Sequence, residues 1–150
     1  MKIIKTIVLI LLVAFIALQF FPIELNKSDI VPKTDFLLIN TAPETIQKKL
    51  QVSCYDCHSN NTYYPWYSKI QPGAWFMEKH ITEGKGELNF NEWDEYSDRR
   101  KNSKLKSIIN QIKDGEMPLE SYTYIHRDAT FSEKERKEMV HFMQQLKDSL

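Results

Sequence analysis

The only two cysteines of this 150-residue chain lie three positions apart, and a histidine directly follows the second. The stretch reads SCYDCHSNN and contains Cys54, Cys57 and His58. Three chemistries use a Cys-x-x-Cys pair: a structural zinc site, a thioredoxin-like redox pair and the attachment of a c-type haem, which is the usual meaning of Cys-x-x-Cys-His. A chance occurrence of the pattern is the remaining alternative.

The residues around the motif favour haem over the other two chemistries. Zinc usually needs a second pair of ligands at short spacing, whereas His80, His126 and His141 are far apart. A thioredoxin-like pair would follow a β-strand. Here the preceding ETIQKKLQVS indicates a helix, and the following SNNTYYPWY indicates a polar turn and an aromatic loop. We therefore interpret residues 54–58 as the attachment site of one haem c per chain.

The spacing suits a haem edge that carries two neighbouring vinyl groups. Cys54 and Cys57 lie on one face of a helical turn, so each sulfur can form a thioether with one vinyl group. His58 would then offer a neutral imidazole nitrogen to the iron. Its other ring nitrogen should donate to a backbone carbonyl that fixes the tautomer, and Pro65 or Pro72 is a candidate for that carbonyl.

The N-terminal stretch MKIIKTIVLILLVAFIALQFFPI is apolar after a basic start. Lys2 and Lys5 precede an unbroken run of twelve apolar residues, Ile7 to Leu18. The run fits a cleaved signal peptide or a membrane anchor. We favour an anchor because no small residues stand at the spacing that a signal-peptidase site requires. The basic residues should stay in the cytoplasm, which places the remainder on the periplasmic side of the inner membrane.

The charges of the chain are balanced overall, and its composition indicates three parts. The 20 basic and 20 acidic residues balance. The sequence has no stripe of basic residues of the kind that binds nucleic acid. After the membrane segment at residues 1–23, the polar stretch 24–36 indicates a linker. Residues 37–150 are then predicted to form one haem-binding domain, which is long enough for a modest core.

The domain shows helical periodicity and local signals for helix ends. Helices are expected over residues 44–51, 74–82 and 100–113, and near the end of the chain. The second should stop before Gly84, and the third should end at Gly115. Asn91 should cap a further helix, and Ser132 with Glu135 should form a capping box at the start of the last one.

Two apolar stripes at helical spacing are predicted to form the core of the domain. They consist of Leu105, Ile108, Ile109 and Ile112 on the third helix, and of Met139, Phe142, Met143 and Leu146 on the last. No segment alternates between apolar and polar residues with period two. The expected fold class is therefore all-α.

Several motifs after residue 50 resemble the bacterial haem-binding-domain family of small exported proteins. They are CYDCHSN at 54–60, YPWYSKIQP at 64–72, EGKGELNFNEW at 83–93, GEMPL at 115–119 and YTYIHRDATFSEKE at 122–135. This combination is far more specific than the bare Cys-x-x-Cys-His pattern. The resemblance implies a cytochrome c-like helical domain wrapped around a covalent haem, without implying a particular physiological reaction.

The GEMPL stretch also resembles the loop of class I cytochromes c, where a methionine before a proline often supplies the distal iron ligand. Met117 lies in a turn between Gly115 and Pro118 rather than on an apolar helical face. It is also far enough along the chain from His58 to reach the other side of the ring. We therefore predict Met117 as the distal ligand, with His126 as the alternative.

Three aromatic residues that follow the motif are predicted to line the haem pocket. They are Tyr64, Trp66 and Tyr67. Ordinary core packing is the competing interpretation, and the two overlap because a haem pocket is itself part of a core.

The expected function is electron transfer through a His/Met-ligated iron, without enzymatic activity. The alternatives are a haem-based sensor or peroxidase-like enzyme with an open sixth position, and an accessory haem module of a membrane complex. Arg127 beside His126 would be the candidate distal pair of a peroxidase. The expected partners are a redox protein or a membrane complex, and the membrane itself through the N-terminus.

Overall fold

The computed structural model describes residues 1–28 and 30–150. Its α-helices are α1 (Lys2–Leu18), α2 (Phe36–Ile39), α3 (Glu44–Leu50), α4 (Asp56–His58), α5 (Gly73–Glu87), α6 (Asp98–Asp114), α7 (Glu120–Thr123) and α8 (Glu133–Asp148). A π-helical segment, Gln51–Tyr55, joins α3 to α4, and 3-10 segments cover Trp66–Lys69, Phe90–Glu95 and Arg127–Ala129. The described ranges contain no strand, which confirms the all-α prediction.

The core lies where α6 and α8 pack against each other and against α2, α3 and the segment Phe90–Glu95. Phe36 of α2 is fully buried, and its ring meets Phe90 and Trp93 edge to face at centroid distances of 5.2 and 4.9 Å. Both predicted apolar stripes face this core, with Ile108 and Leu146 at its half-buried edge. Burial of these side chains supplies most of the driving force for folding.

Local signals set the ends of α6 and α8. The Ser97 hydroxyl accepts a hydrogen bond from the Arg100 amide, so α6 begins slightly before the predicted start. Gly115 ends this helix at φ 74°, a left-handed conformation that glycine adopts without strain. Ser132 and Glu135 form the predicted capping box at the start of α8.

The helix that precedes the motif continues into it. The prediction ended this helix near Gln51, whereas the backbone stays helical through Gln51–Tyr55 and α4 to His58. Ile46 and Leu50 are buried in the core. The Cys-x-x-Cys-His motif therefore lies at the C-terminal end of a continuous helical stretch, residues 44–58. The N-terminal part of this stretch packs in the core.

Two predicted ends differ from those in the structure. Helix α5 continues through Gly84 to Glu87 instead of stopping before Gly84. Asn89, rather than Asn91, is the cap of the segment Phe90–Glu95, because its side chain accepts a hydrogen bond from the Asn91 amide at 3.1 Å.

The N-terminal part of the chain consists of α1 and an extended stretch. No residue of α1 is buried. Within the described part of the chain, no helix is both long and apolar enough to cross a membrane. In the predicted linker, Asn26 lies against the domain. Its backbone amide donates to the Tyr64 hydroxyl at 2.8 Å, and its side-chain oxygen accepts from Lys85 Nζ at 2.8 Å. Asp29 of this linker lies outside the described residues.

Candidate haem site

A cavity of about 480 Å³ lies beside the Cys-x-x-Cys-His motif. The helical stretch 44–58 contributes Cys54, Cys57 and His58 to its wall, and the loop between α6 and α7 contributes Met117. The structure thus brings to one cavity the two cysteines and the two iron ligands that the sequence predicts.

Apolar side chains form much of the remaining wall. They come from the residues that follow α5, from α6 and from the loop before α7: Leu88, Phe90, Ile108, Ile112, Pro118 and Leu119. A mostly apolar wall with a few placed polar groups is typical of a cofactor site. The volume and the wall therefore fit a large, mostly apolar ligand.

His58 is oriented by two backbone carbonyls. Its Nδ1 lies 2.8 Å from the carbonyl oxygen of Gly84 and 3.1 Å from that of Leu88. Since a carbonyl only accepts, Nδ1 carries the proton and Nε2 keeps its lone pair. Burial lowers the pKa of His58, which also favours the neutral ring. The orienting carbonyls therefore come from the end of α5, not from Pro65 or Pro72.

Gly84 explains how α5 approaches the motif so closely. A Cβ atom at this position would lie 2.9 Å from the Cys57 carbonyl oxygen, 3.3 Å from the Cys57 Cβ and 3.4 Å from His58 Cε1. Any side chain here would collide with backbone of the motif. The glycine thus allows its own carbonyl to reach the His58 ring.

Replacing Gly84 by alanine should push α5 away from the motif and weaken the hydrogen bonds to His58. We expect a loss of about 1–3 kcal/mol in the free energy of unfolding, the usual cost of overpacking, together with less haem bound per chain. Thermal unfolding and the Soret absorbance per protein measure these effects.

Gly86 offers a matched control in the same helix. A Cβ atom there would meet nothing within 4 Å, so Gly86→Ala should raise stability by up to about 1 kcal/mol through helix propensity. Equal stability changes in the two variants would contradict the role assigned to Gly84.

The two cysteines lie in a largely dry environment. Burial raises the pKa of the Cys54 thiol to about 12 and that of Cys57 to about 11. Both side chains are therefore neutral thiols at neutral pH. Such thiols are weak metal ligands, and within the described residues no three histidine, cysteine or acidic side chains converge to hold a metal ion.

The backbone around Met117 is fixed by the end of α6. The amides of Glu116 and Met117 both donate to the Gln111 carbonyl, at 2.9 and 3.2 Å. Together with Gly115, which donates to Ile112 at 3.4 Å, they form a Schellman motif. These hydrogen bonds at the end of α6 hold Met117 half-buried at the cavity wall.

Tyr122 is a cavity residue that the sequence did not predict. Its hydroxyl lies 2.8 Å from Asp56 Oδ2 and 3.1 Å from the Val52 carbonyl oxygen, so its single hydrogen is shared between these two acceptors. Burial and the negative charge of Asp56 raise the pKa of Tyr122, so the hydroxyl remains a donor. Tyr122 therefore ties α7 to the motif helix. No local pattern indicates this role, because the two partners lie far apart in the chain.

His126, the alternative distal ligand, does not line the cavity. Its ring stacks on Tyr122 at a centroid distance of 4.2 Å, and its Nε2 is hydrogen-bonded to the Tyr67 hydroxyl. Both contacts direct His126 towards the neighbouring aromatic residues.

The predicted aromatic wall lies elsewhere as well. Tyr64, Trp66 and Tyr67 do not line this cavity. The Tyr64 hydroxyl accepts a hydrogen bond from Asn26, Trp66 is 75% exposed, and Tyr67 is held by His126. Apolar residues that follow α5, together with those of α6, form the wall that these aromatic side chains were expected to form.

Comparisons with known proteins identify the family. A family model described as a haem-binding domain matches residues 13–145. No curated protein and no solved structure gives a significant match. The cavity fits the group that the family name states, because it combines an apolar wall with an imidazole nitrogen, a thioether sulfur and two thiols. Since the match spans most of the chain, the protein belongs to the haem-binding domain family.

Proposed function

We propose that the protein is a membrane-tethered, c-type cytochrome-like electron carrier that faces the periplasm. Cys54 and Cys57 would attach one haem through thioethers, His58 would be the proximal iron ligand and Met117 the distal one. The observation that carries this proposal is the presence of all four residues at one cavity. When bound, the haem would supply a one-electron ferric/ferrous couple.

The geometry of the two ligands supports a carrier. His58 is held by the backbone of Gly84 and Leu88, which keeps Nε2 in one orientation. Met117 stands on a helix end fixed by three amide hydrogen bonds. Ligands on rigid supports would change little between two oxidation states, and an iron held by both His58 and Met117 would be closed to other molecules.

The residues that a peroxidase would need are engaged elsewhere. Such an enzyme needs a distal base and a charged group beside an open position. His126 is bonded to Tyr67, and the Arg127 guanidinium lies over the Tyr124 ring at 5.1 Å. Neither His126 nor Arg127 lines the cavity. This arrangement supports electron transfer over peroxide chemistry.

The N-terminal helix supports the tether. Its side chains are apolar from Ile7 to Leu18, and no residue of α1 is buried by the rest of the protein. Exposed apolar surface is unfavourable in water by about 25 cal/mol per Å², so this helix would be stabilised in lipid. Lys2 and Lys5 would hold its start on the cytoplasmic side.

One preparation tests the carrier and the tether together. The full-length protein is produced with the haem-attachment machinery, membranes are washed with carbonate, and the retained protein is examined by absorption spectroscopy with and without carbon monoxide. We expect the haem to stay with the membranes and the ferric iron to be low-spin. Carbon monoxide should leave the spectrum of the ferrous protein unchanged. A high-spin iron that binds carbon monoxide at once would favour a sensor or an enzyme, and release by carbonate would contradict the tether.

A further inference from the structure

We propose that Lys104 binds a propionate carboxylate of the haem at the edge of the ring that faces α6. The inference rests on the proposed function only in taking this cavity as the haem site. Ser107 and Gln111, which follow Lys104 on the same face of α6, line the cavity as well. They would extend the polar edge that receives the carboxylates.

The charges around the cavity single out Lys104. Three carboxylate residues line it, namely Asp56, Glu83 and Glu87. Among the described residues, Lys104 is the only lysine or arginine in the lining. A haem adds two further carboxylates to this set. Like charges brought together in a partly dry site are destabilising unless a cation lies between them, and Lys104 can supply such a cation.

Lys104 is partly withdrawn from water, yet it is only weakly paired. Its side chain is 22% exposed, and its Nζ lies 3.7 Å from Glu87 Oε2. The Glu87 side chain is 86% exposed, and such a solvated partner contributes little, about 0–1 kcal/mol. A propionate in the drier cavity would be the stronger partner, because charge-assisted hydrogen bonds gain strength away from water.

The side chains next to Lys104 on the same face of α6 are polar and also line the cavity. The neighbouring polar side chains complete the site, since Gln111 Nε2 donates to Ser107 Oγ at 2.8 Å and retains a second hydrogen for an acceptor.

The test compares the holoproteins of wild type, Lys104→Met, Lys104→Arg and Lys101→Met. Lys101 is a matched control: it lies on the same helix, pairs with Asp94 at 3.2 Å and does not line the cavity. Two quantities are measured, the midpoint potential and the resonance Raman bending band of the propionates. Lys104→Met should shift the propionate band and lower the potential, because loss of the cation favours ferric iron.

The expected shift in potential corresponds to up to about a tenfold change in the ferrous-to-ferric equilibrium, or about 59 mV for one electron. Lys104→Arg should restore both readouts in large part, and Lys101→Met should leave both unchanged. If Lys104→Met yields too little holoprotein, Lys104→Gln removes the charge while keeping a polar side chain.

The outcomes separate this inference from the function. An unchanged propionate band in haem-loaded Lys104→Met would overturn the inference alone, even if the potential moved. A shift in potential without a change in this band reports only the field of a distant charge. A wild-type protein without haem would overturn the proposed function, and the inference with it.

Discussion

Replacement of both Cys54 and Cys57 by alanine is expected to abolish covalent haem attachment. Each thioether forms by addition of one S–H across one vinyl double bond, so the reaction consumes no oxidant and stops when the thiol is absent. Both thiols are neutral and line the cavity. After denaturation and gel electrophoresis, peroxidase staining of the haem should fall to background in the double variant.

The single variants should give an intermediate result. Cys54→Ala or Cys57→Ala leaves one sulfur, so staining should fall sharply without disappearing. The band of the pyridine complex should move to longer wavelength, because one vinyl group stays unsaturated. Circular dichroism of each variant checks that the helices are retained.

Asn61→Ala serves as a control close to the motif, because Asn61 is exposed and carries no thiol. It should stain like wild type. Retained staining in the double variant would contradict covalent attachment, while a wild-type protein that is exported without any stain would remove the central proposal.

Elements with local signals could be predicted from the sequence. Helix α6 shows an apolar stripe and Gly115 at its end, and α8 shows a capping box between Ser132 and Glu135. Each of these signals lies within a few residues of the feature that it determines. Two residues of the stripe, Ile108 and Ile112, also line the cavity, which the sequence analysis did not predict.

Helix α5 shows where local reasoning is insufficient. Gly84 indicates a helix end by its type alone, but the helix continues because the glycine is needed for contact with Cys57. That contact joins two elements that are distant in sequence. A tertiary requirement of this kind overrides the intrinsic propensity of the residue.

The aromatic residues after the motif illustrate a second limit. Tyr64 lies close to His58 in sequence, which suggests a place in the pocket, yet its hydroxyl binds Asn26 from the predicted linker. Tyr122 lies far away in sequence and reaches the cavity through Asp56. Proximity along the chain therefore says little about which side chains share a cavity formed by several helices.

Met117→Ala is expected to open the distal position of the iron. A thioether is a soft, neutral ligand that favours ferrous iron, so its removal should lower the reduction potential. The sulfur-to-iron charge-transfer band of the ferric protein should disappear completely, and ferrous iron should bind carbon monoxide readily. The fold should be retained, because the hydrogen bonds around this residue come from backbone amides to Gln111.

Two further variants make the assignment decisive. Met77 is a half-buried methionine of α5 that does not line the cavity, so Met77→Ala should leave the spectrum and the potential unchanged. His126→Ala should also keep the low-spin spectrum, since His126 is bound to Tyr67 and stacked on Tyr122. An unchanged spectrum in Met117→Ala, together with a high-spin iron in His126→Ala, would instead identify His126 as the distal ligand and require α7 to move when haem binds.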